Sequence, residues 1–399
     1  MSNGKPAGKS LPPRPDLSYL KKLAKEQLAR LRKRTPTARL AEAQLAVARE
    51  YGFASWRKLK AHVDELRGKA ASGEPSERQV KEFAQAVERK DHASVQSMLR
   101  RTPALANTSE PEGRTMLHIA AEWNDAETVE KLLGAGAKSE VFWKGGGHTP
   151  LSWAITSGAF EAASALVRCG AKVDLFCAAG TGDLKATASF FDANGMVQTG
   201  ASRTGSSRYG SDGKRLACPP QKEAEVVADA LYIACRHGRR EVVKFLLERG
   251  PDLSFRGYMG GTLLHWAHFG GDGEIVGMLR DAGADDSALD HVFKCTPAGF
   301  GIHVPCEWGI LKNVRRRLNE DAALANIFDG GMTPLHRVAR GGRAAIVKWL
   351  LKAGADPTVR DANGKTAIDV AKERGHEEVV AELEARDFPM TLWKKRQSS

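Results

Sequence analysis

Thr333-Pro-Leu-His-Arg-Val-Ala-Arg-Gly-Gly342, continued by Ile346-Val-Lys-Trp-Leu-Leu-Lys-Ala-Gly-Ala-Asp356, decides the fold. Pro334 suits the first turn of a helix, where its missing N–H would have no partner in any case. Thr333 before it can cap that helix, and His336 can bond back to the threonine. Gly342 stands where a left-handed residue ends the first helix. The second helix carries the apolar pair Leu350–Leu351, and Gly354-Ala-Asp356 leads out of it into a turn.

The same pattern recurs. Gly113-Arg-Thr-Met-Leu-His-Ile-Ala-Ala121 runs on to Val129-Glu-Lys-Leu-Leu-Gly-Ala-Gly-Ala137, and Gly364-Lys-Thr-Ala-Ile-Asp-Val-Ala371 runs on to Val379-Val-Ala-Glu-Leu383. Leu117 to Leu151 and Leu264 to Ala298 are each 34 residues apart, and Leu335 to Ile368 is 33. A fixed period with Thr-Pro-Leu-His openings resembles the ankyrin repeat. One such helix pair cannot bury its apolar face alone, so at least about three must stack.

The expected fold is therefore all-α: an ankyrin-repeat solenoid of helix-turn-helix units with short β-hairpin loops. About nine repeats begin near Phe83, Gly113, Gly147, Leu175, Asp229, Gly261, Lys294, Gly331 and Gly364. Gly158, Gly238, Gly271 and Asn124 take the place of Gly342 in their repeats. Pro103-Ala-Leu-Ala-Asn107 and Ala322-Ala-Leu-Ala-Asn326 end repeats 1 and 7 alike. The expected order is a disordered lead (1–16), a basic helical leader (17–78), repeats 1–4 (79–195), an insertion (196–222), repeats 5–9 (223–386) and a tail (387–399), whose Phe388 and Trp393 could fold back onto the last repeat.

Charge separates the leader from the array. The net charge is +12; residues 1–80 hold 18 Lys/Arg against 8 Asp/Glu, and the other 319 hold 42 against 40. Helices are expected over Leu17–Lys33, Ala38–Tyr51 and Ser55–Leu66, the first placing Leu17, Leu20, Ala24, Leu28 and Leu31 on one face. Gln44 to Lys60 is similar to a leader found before ankyrin repeats in many bacterial proteins, which implies a bacterial origin. It also resembles a helix-turn-helix through Ala48 and Gly52, although Lys58 stands where an apolar residue should be. Three readings follow for the leader: a helical cap with Phe53 and Trp56 in its core, a nucleic-acid contact, or a membrane-surface contact.

The insertion, Met196 to Lys222, is rich in Gly, Ser and Arg and reads as a long exposed loop. Gly200 and Gly205 have phosphate-loop spacing, but Ser206 stands where that loop needs lysine. His303-Val-Pro-Cys-Glu-Trp308 reads as an insertion that makes the connection of repeat 7 bulge. His291, Cys295, His303 and Cys306 have zinc-type chemistry. The register opposes it, since Cys295 would precede the first helix and Cys306 would lie beyond its far end.

His118, His265 and His336 are explained by the repeat. No Ser/His/Asp or Cys/His set stands out, so neither catalysis nor a cofactor or metal is expected. No apolar run is long enough to span a bilayer, and six scattered cysteines fit a reducing cytosol. A cytoplasmic monomer with a protein partner is expected, with nucleic acid as a second partner class through residues 1–80. An enzyme site near the insertion and repeat 7 is the remaining alternative. The binding face would be the concave one, with Glu122, Trp123, Thr156, Ser157, Arg236, His237, Phe269, Trp308 and Arg340 at the ends of first helices. Trp and Arg favour hot spots there.

Overall fold

The computed structural model describes residue 11 and residues 17–71, 74–143 and 147–385. The readings of a disordered lead and of a tail folding back on Phe388 and Trp393 lie outside those residues, Leu11 apart. Two compact bodies divide the chain. One runs through Ser109 and takes in Lys131–Ala137; the other comprises Glu110–Glu130 and the chain from Lys138 onward.

In the first body, α1 (Leu17–Arg32), α2 (Leu40–Glu50) and α3 (Trp56–Ala71) form the leader. Leu20, Ala24, Val47, Ala48, Leu59 and Val63 are its buried core, with Phe53 and Trp56 packed against them. Gly52, at φ +78°, ends α2: its N–H reaches Arg49 O, and the Phe53 N–H reaches Ala48 O. The first repeat follows as α4 (Glu77–Glu88) and α5 (His92–Arg101).

Among the described residues, eight more helix pairs follow in sequence. They are α6 (Met116–Glu122) with α7 (Ala126–Gly134), α8 (Pro150–Ser157) with α9 (Phe160–Arg168), α10 (Leu175–Thr181) with α11 (Leu184–Ala188), and α12 (Glu223–Arg236) with α13 (Arg240–Leu247). Then come α14 (Leu263–Gly270) with α15 (Gly273–Asp281), α16 (Pro297–Trp308) with α17 (Leu311–Glu320), α18 (Pro334–Gly341) with α19 (Ala344–Lys352), and α20 (Ala367–Arg374) with α21 (Glu377–Glu384). The hairpins between repeats narrow to single antiparallel bridges, such as Arg256 with Thr262 and Arg360 with Thr366.

Local chemistry fixes each opening. The N–H groups of Thr115, Thr262 and Thr333 donate to Nδ1 of His118, His265 and His336. That leaves Nε2 protonated, and it donates to a carbonyl of the next repeat: His148 O at 3.1 Å, Cys295 O at 3.0 Å and Lys365 O at 2.9 Å. Each histidine thus caps its own helix and ties two repeats together. Burial holds His118 and His265 neutral, pushing both down to about 4. The echoed Pro103 to Asn107 and Ala322 to Asn326 both form 3-10 turns, and Asn107 and Asn326 each donate to a glycine carbonyl, Gly136 O and Gly354 O.

Two expectations fail. The insertion is not an exposed loop, because Ala201, Thr204, Ser206 and Arg208 are buried. Asp174 accepts from the Thr204 N–H at 2.7 Å and hydroxyl at 2.6 Å, and Asp229 accepts from the N–H and hydroxyl of Ser206. Arg208 pairs with Glu225 at 2.7 Å. One repeat-type turn leads into the segment and a second lies within it. Asp192 accepts from the N–H of Asn194 and Met196, as Asp361 does from Asn363 and Lys365. Tyr209 bridges Arg215, and its N–H reaches Arg256 O of the following hairpin.

Repeat 7 does not bulge either. Its first helix runs unbroken from Pro297 to Trp308, through Pro305. From the capping threonine to the left-handed glycine there are four more residues in α16 (Thr296 to Gly309) than in α14 (Thr262 to Gly271). Four residues make about one helical turn, so the insertion lengthens α16 without changing its register.

Candidate partner-binding face

All nine expected residues lie at the C-terminal ends of first helices or at the caps that follow them, but only some are available. Trp123 is 53% exposed, and Ser157 is exposed. Glu122 is half-buried and accepts from Arg114 at 2.6 Å and from the Trp153 indole N–H at 3.4 Å. Thr156 is buried, and its hydroxyl donates to Ser152 O, so it serves α8 rather than a partner. His237 reaches back across repeat 4: its Nε2 donates to Ile155 O at 2.7 Å, and burial pushes it down to about 3. Gly180 makes room for that approach, since a Cβ there would meet Ile155 and Ile233 side chains at 2.3 and 2.9 Å. Phe269, expected on the binding face, is buried, because the lengthened α16 lays Trp308 against it at 5.9 Å between centroids.

The structure gathers Arg236, Phe269 and Trp308 and adds two residues that the sequence reading missed. Arg236 lies over the Trp266 ring at 4.3 Å and the Phe269 ring at 5.1 Å. Tyr258, on the hairpin of repeat 6 and 45% exposed, reaches Trp308 at 6.3 Å and Trp266 at 6.4 Å. Stacked aromatics with a guanidinium are the chemistry of a protein hot spot. Beside them the extra turn of α16 presents Glu307, which meets Arg340 at 3.3 Å and the buried Arg337 at 3.7 Å. Tyr258 could have been found as an exposed aromatic at the tip of its hairpin. Trp266 follows the structural histidine, the position of Ile119 and Arg337 in their repeats.

The rival sites resolve into structural bonding. The amides that a phosphate would need between Gly200 and Ser206 already donate to Asp174 and Asp229. A cavity of about 350 Å³ beside the insertion is lined by Arg208, Glu225, Asp252, Ser254 and Arg256. Its polar groups bond one another or the backbone: Arg208 to Glu225, Ser254 to Asp252, and Arg256 to Gly260 O and Leu289 O. Cys306 lies inside α16 in the apolar core, not beyond the helix end as expected. Cys295 does meet His303, Sγ to Nδ1 at 3.3 Å, but burial pushes its thiol up to about 12 and keeps it protonated. Among the described residues no three or more His, Cys, Asp or Glu side chains form a metal-type cluster.

Residues 83–177 and 214–290 match a family model for ankyrin repeats in three copies, and residues 318–371 match one for ankyrin repeats in many copies. A segment of 162 residues is 33% identical to the ankyrin repeat and KH domain-containing protein mask-1 of Caenorhabditis elegans, covering 40% of this chain and 6% of that one. Another, of 146 residues, is 32% identical to the tyrosine-protein kinase HTK16 of Hydra vulgaris, covering 35% of this chain and 19% of the kinase. A third, of 149 residues, is 30% identical to the mouse B-cell lymphoma 3 protein homolog, covering 36% of this chain and 32% of the relative. The chain spans less than a third of the length of each of these relatives. All three are animal proteins, so the bacterial origin implied by the leader finds no support in them. With its repeat geometry and family matches over more than half of its length, the chain belongs to the ankyrin-repeat family.

Proposed function

We propose that the chain is a protein-interaction scaffold, and that a partner protein docks on the first-helix ends of repeats 5–8. The observation that carries this is the surface formed by Tyr258, Trp308, Arg236 and Arg340, with large aromatic and arginine side chains brought together from successive repeats. Such residues dominate interface energies. Six free cysteines support a reducing, cytosolic setting, and among the described residues no helix is long and apolar enough to cross a membrane. Arg208, Ser254 and Arg256 in the cavity beside the insertion each bond to a neighbouring carboxylate or to the backbone, which favours binding over catalysis as the role of the array.

The test is affinity capture with the full chain, followed by reconstitution with the purified partner. Tyr258→Ala and Trp308→Ala should each weaken binding about 30-fold, the scale of a hot-spot truncation. Val167→Ala, an exposed change on α9, should leave it unchanged. Equal binding by all three variants refutes the docking face.

A second reading concerns the leader. Lys21, Lys22, Lys25, Arg57, Lys58 and Lys60 are exposed on α1 and α3, while most of the leader's apolar residues are turned into its core, with Tyr19 and Leu40 left as separate exposed side chains. That pattern supports a polyanion such as nucleic acid over a membrane surface, which would need an apolar face to insert. Binding of duplex DNA that weakens steeply with salt would support it; absence of binding at physiological salt refutes it.

A further inference from the structure

Arg236 differs from the other half-buried arginines of repeats 5–8. Arg317 and Arg340 pair with carboxylates, and Arg239, Arg249, Arg256 and Arg316 donate to backbone carbonyls, whereas Arg236 does neither. Its Nε and Nη1 are shut off from water and make no hydrogen bond. Two fully buried neighbours share that condition: the Trp266 indole N–H and the Tyr232 hydroxyl also lack a partner. Tyr232 is close enough to feel the Arg236 charge, and its ring packs edge-on against Trp266 at 5.4 Å. So one small volume holds a cation beside neutral groups, with no carboxylate to balance it. Each unmet buried donor costs free energy, and the charged one most.

The carboxylates nearby are committed elsewhere. Asp229 holds Ser206, Asp272 holds Arg240, Asp290 holds the amides of Val292, Phe293 and Cys295, and Glu307 holds Arg340. A counter-charge for Arg236 therefore has to come from outside the chain. Arg236 as a whole is only half-buried, and the exposed Tyr258 and the half-buried Trp308 border the cluster, which opens it to solvent on the proposed docking side. We infer that this cluster receives an Asp or Glu side chain of the partner protein, with an apolar neighbour of that residue lying on Tyr258 and Trp308. A single-charged carboxylate matches one guanidinium flanked by neutral N–H and O–H donors. A phosphate dianion would need further cations, and the rings around Arg236 supply none. This inference rests on the docking face proposed above and names the chemistry that the face reads.

The experiment selects random dodecapeptides on the immobilised full chain. The best peptide is then synthesised with each Asp or Glu replaced by its amide. Selected peptides should carry an acidic residue beside an apolar one, and one amide replacement should weaken binding about 30-fold. Arg236→Met, which keeps the aliphatic stem over Trp266, should weaken the parent peptide by a similar factor and leave the amide peptide unaffected. If Arg236→Met does not fold, as judged by circular dichroism, the amide series on the unaltered chain decides alone. Peptides without acidic residues, or equal affinity for parent and amide, overturn the inference. Failure to select any peptide overturns it too, while the Tyr258 and Trp308 test of the docking face stands separately.

Discussion

Acidification from pH 7.5 to 5.5 should strip most of the array's stability, because its histidines are buried neutral. Burial is the leading cause in every case: it pushes His118 and His265 down to about 4, and His148, His237, His268 and His303 down to about 3. All six lie in the second body. In the unfolded chain an imidazole titrates near 6.5. Between that value and the folded one, the unfolded state binds more protons, so stability falls as pH falls. Each neutral histidine forfeits about 1.4 kcal/mol by pH 5.5, or about 8 kcal/mol for the six. Asp229 has the opposite sign: burial raises it to about 7, so its protonation in the folded state returns about 2 kcal/mol over the same interval. The net loss of about 6 kcal/mol is comparable to the whole stability of an ordinary domain. The assay is thermal and urea unfolding at both pH values, with the histidine C2–H resonances followed by NMR. A midpoint unchanged between pH 7.5 and 5.5, or six imidazoles titrating near 6.5, would refute the account of how the repeats are tied together.

Other outcomes follow from particular contacts. Gly270→Ala places a methyl 2.4 Å from Cys235 O, a backbone atom that cannot swing aside, and should cost about 2 kcal/mol, read from the unfolding midpoint. Gly277→Ala in α15 meets nothing within 4 Å and should be neutral or stabilising by up to about 1 kcal/mol. Asp174→Ala removes the acceptor for Cys177, Arg203 and Thr204 N–H groups. Limited trypsin digestion should then cut at Arg203 or Arg208 well before the unaltered chain is cut; an unchanged digestion pattern would show that the insertion is held some other way.

The Thr-x-x-His openings were legible because their chemistry is local: the cap, the left-handed residue and the small residues sit within one helix. What composition hid was partnership at long range. Gly, Ser and Arg between 196 and 222 read as solvent-loving, yet the carboxylates that hold this segment, Asp174 and Asp229, are more than twenty residues away from the groups they bind. A signal was present, since Asp192-Ala-Asn-Gly195 repeats Asp361-Ala-Asn-Gly364. Pro305 likewise suggested a break, but packing of α16 against α14 and α18 outweighs one lost backbone bond. Register placed the candidate site residues at the correct helix ends. It could not distinguish the exposed Trp123 from the buried Phe269, because that depends on whether the next repeat brings a side chain across.

The central claim is that a partner protein docks on the first-helix ends of repeats 5–8. Amide hydrogen exchange of the full chain, with and without its captured partner, tests it most directly. The account predicts new protection in the Tyr258 hairpin and in the last turns of α12, α14, α16 and α18. Protection confined to the leader or to the second helices of the repeats would contradict it.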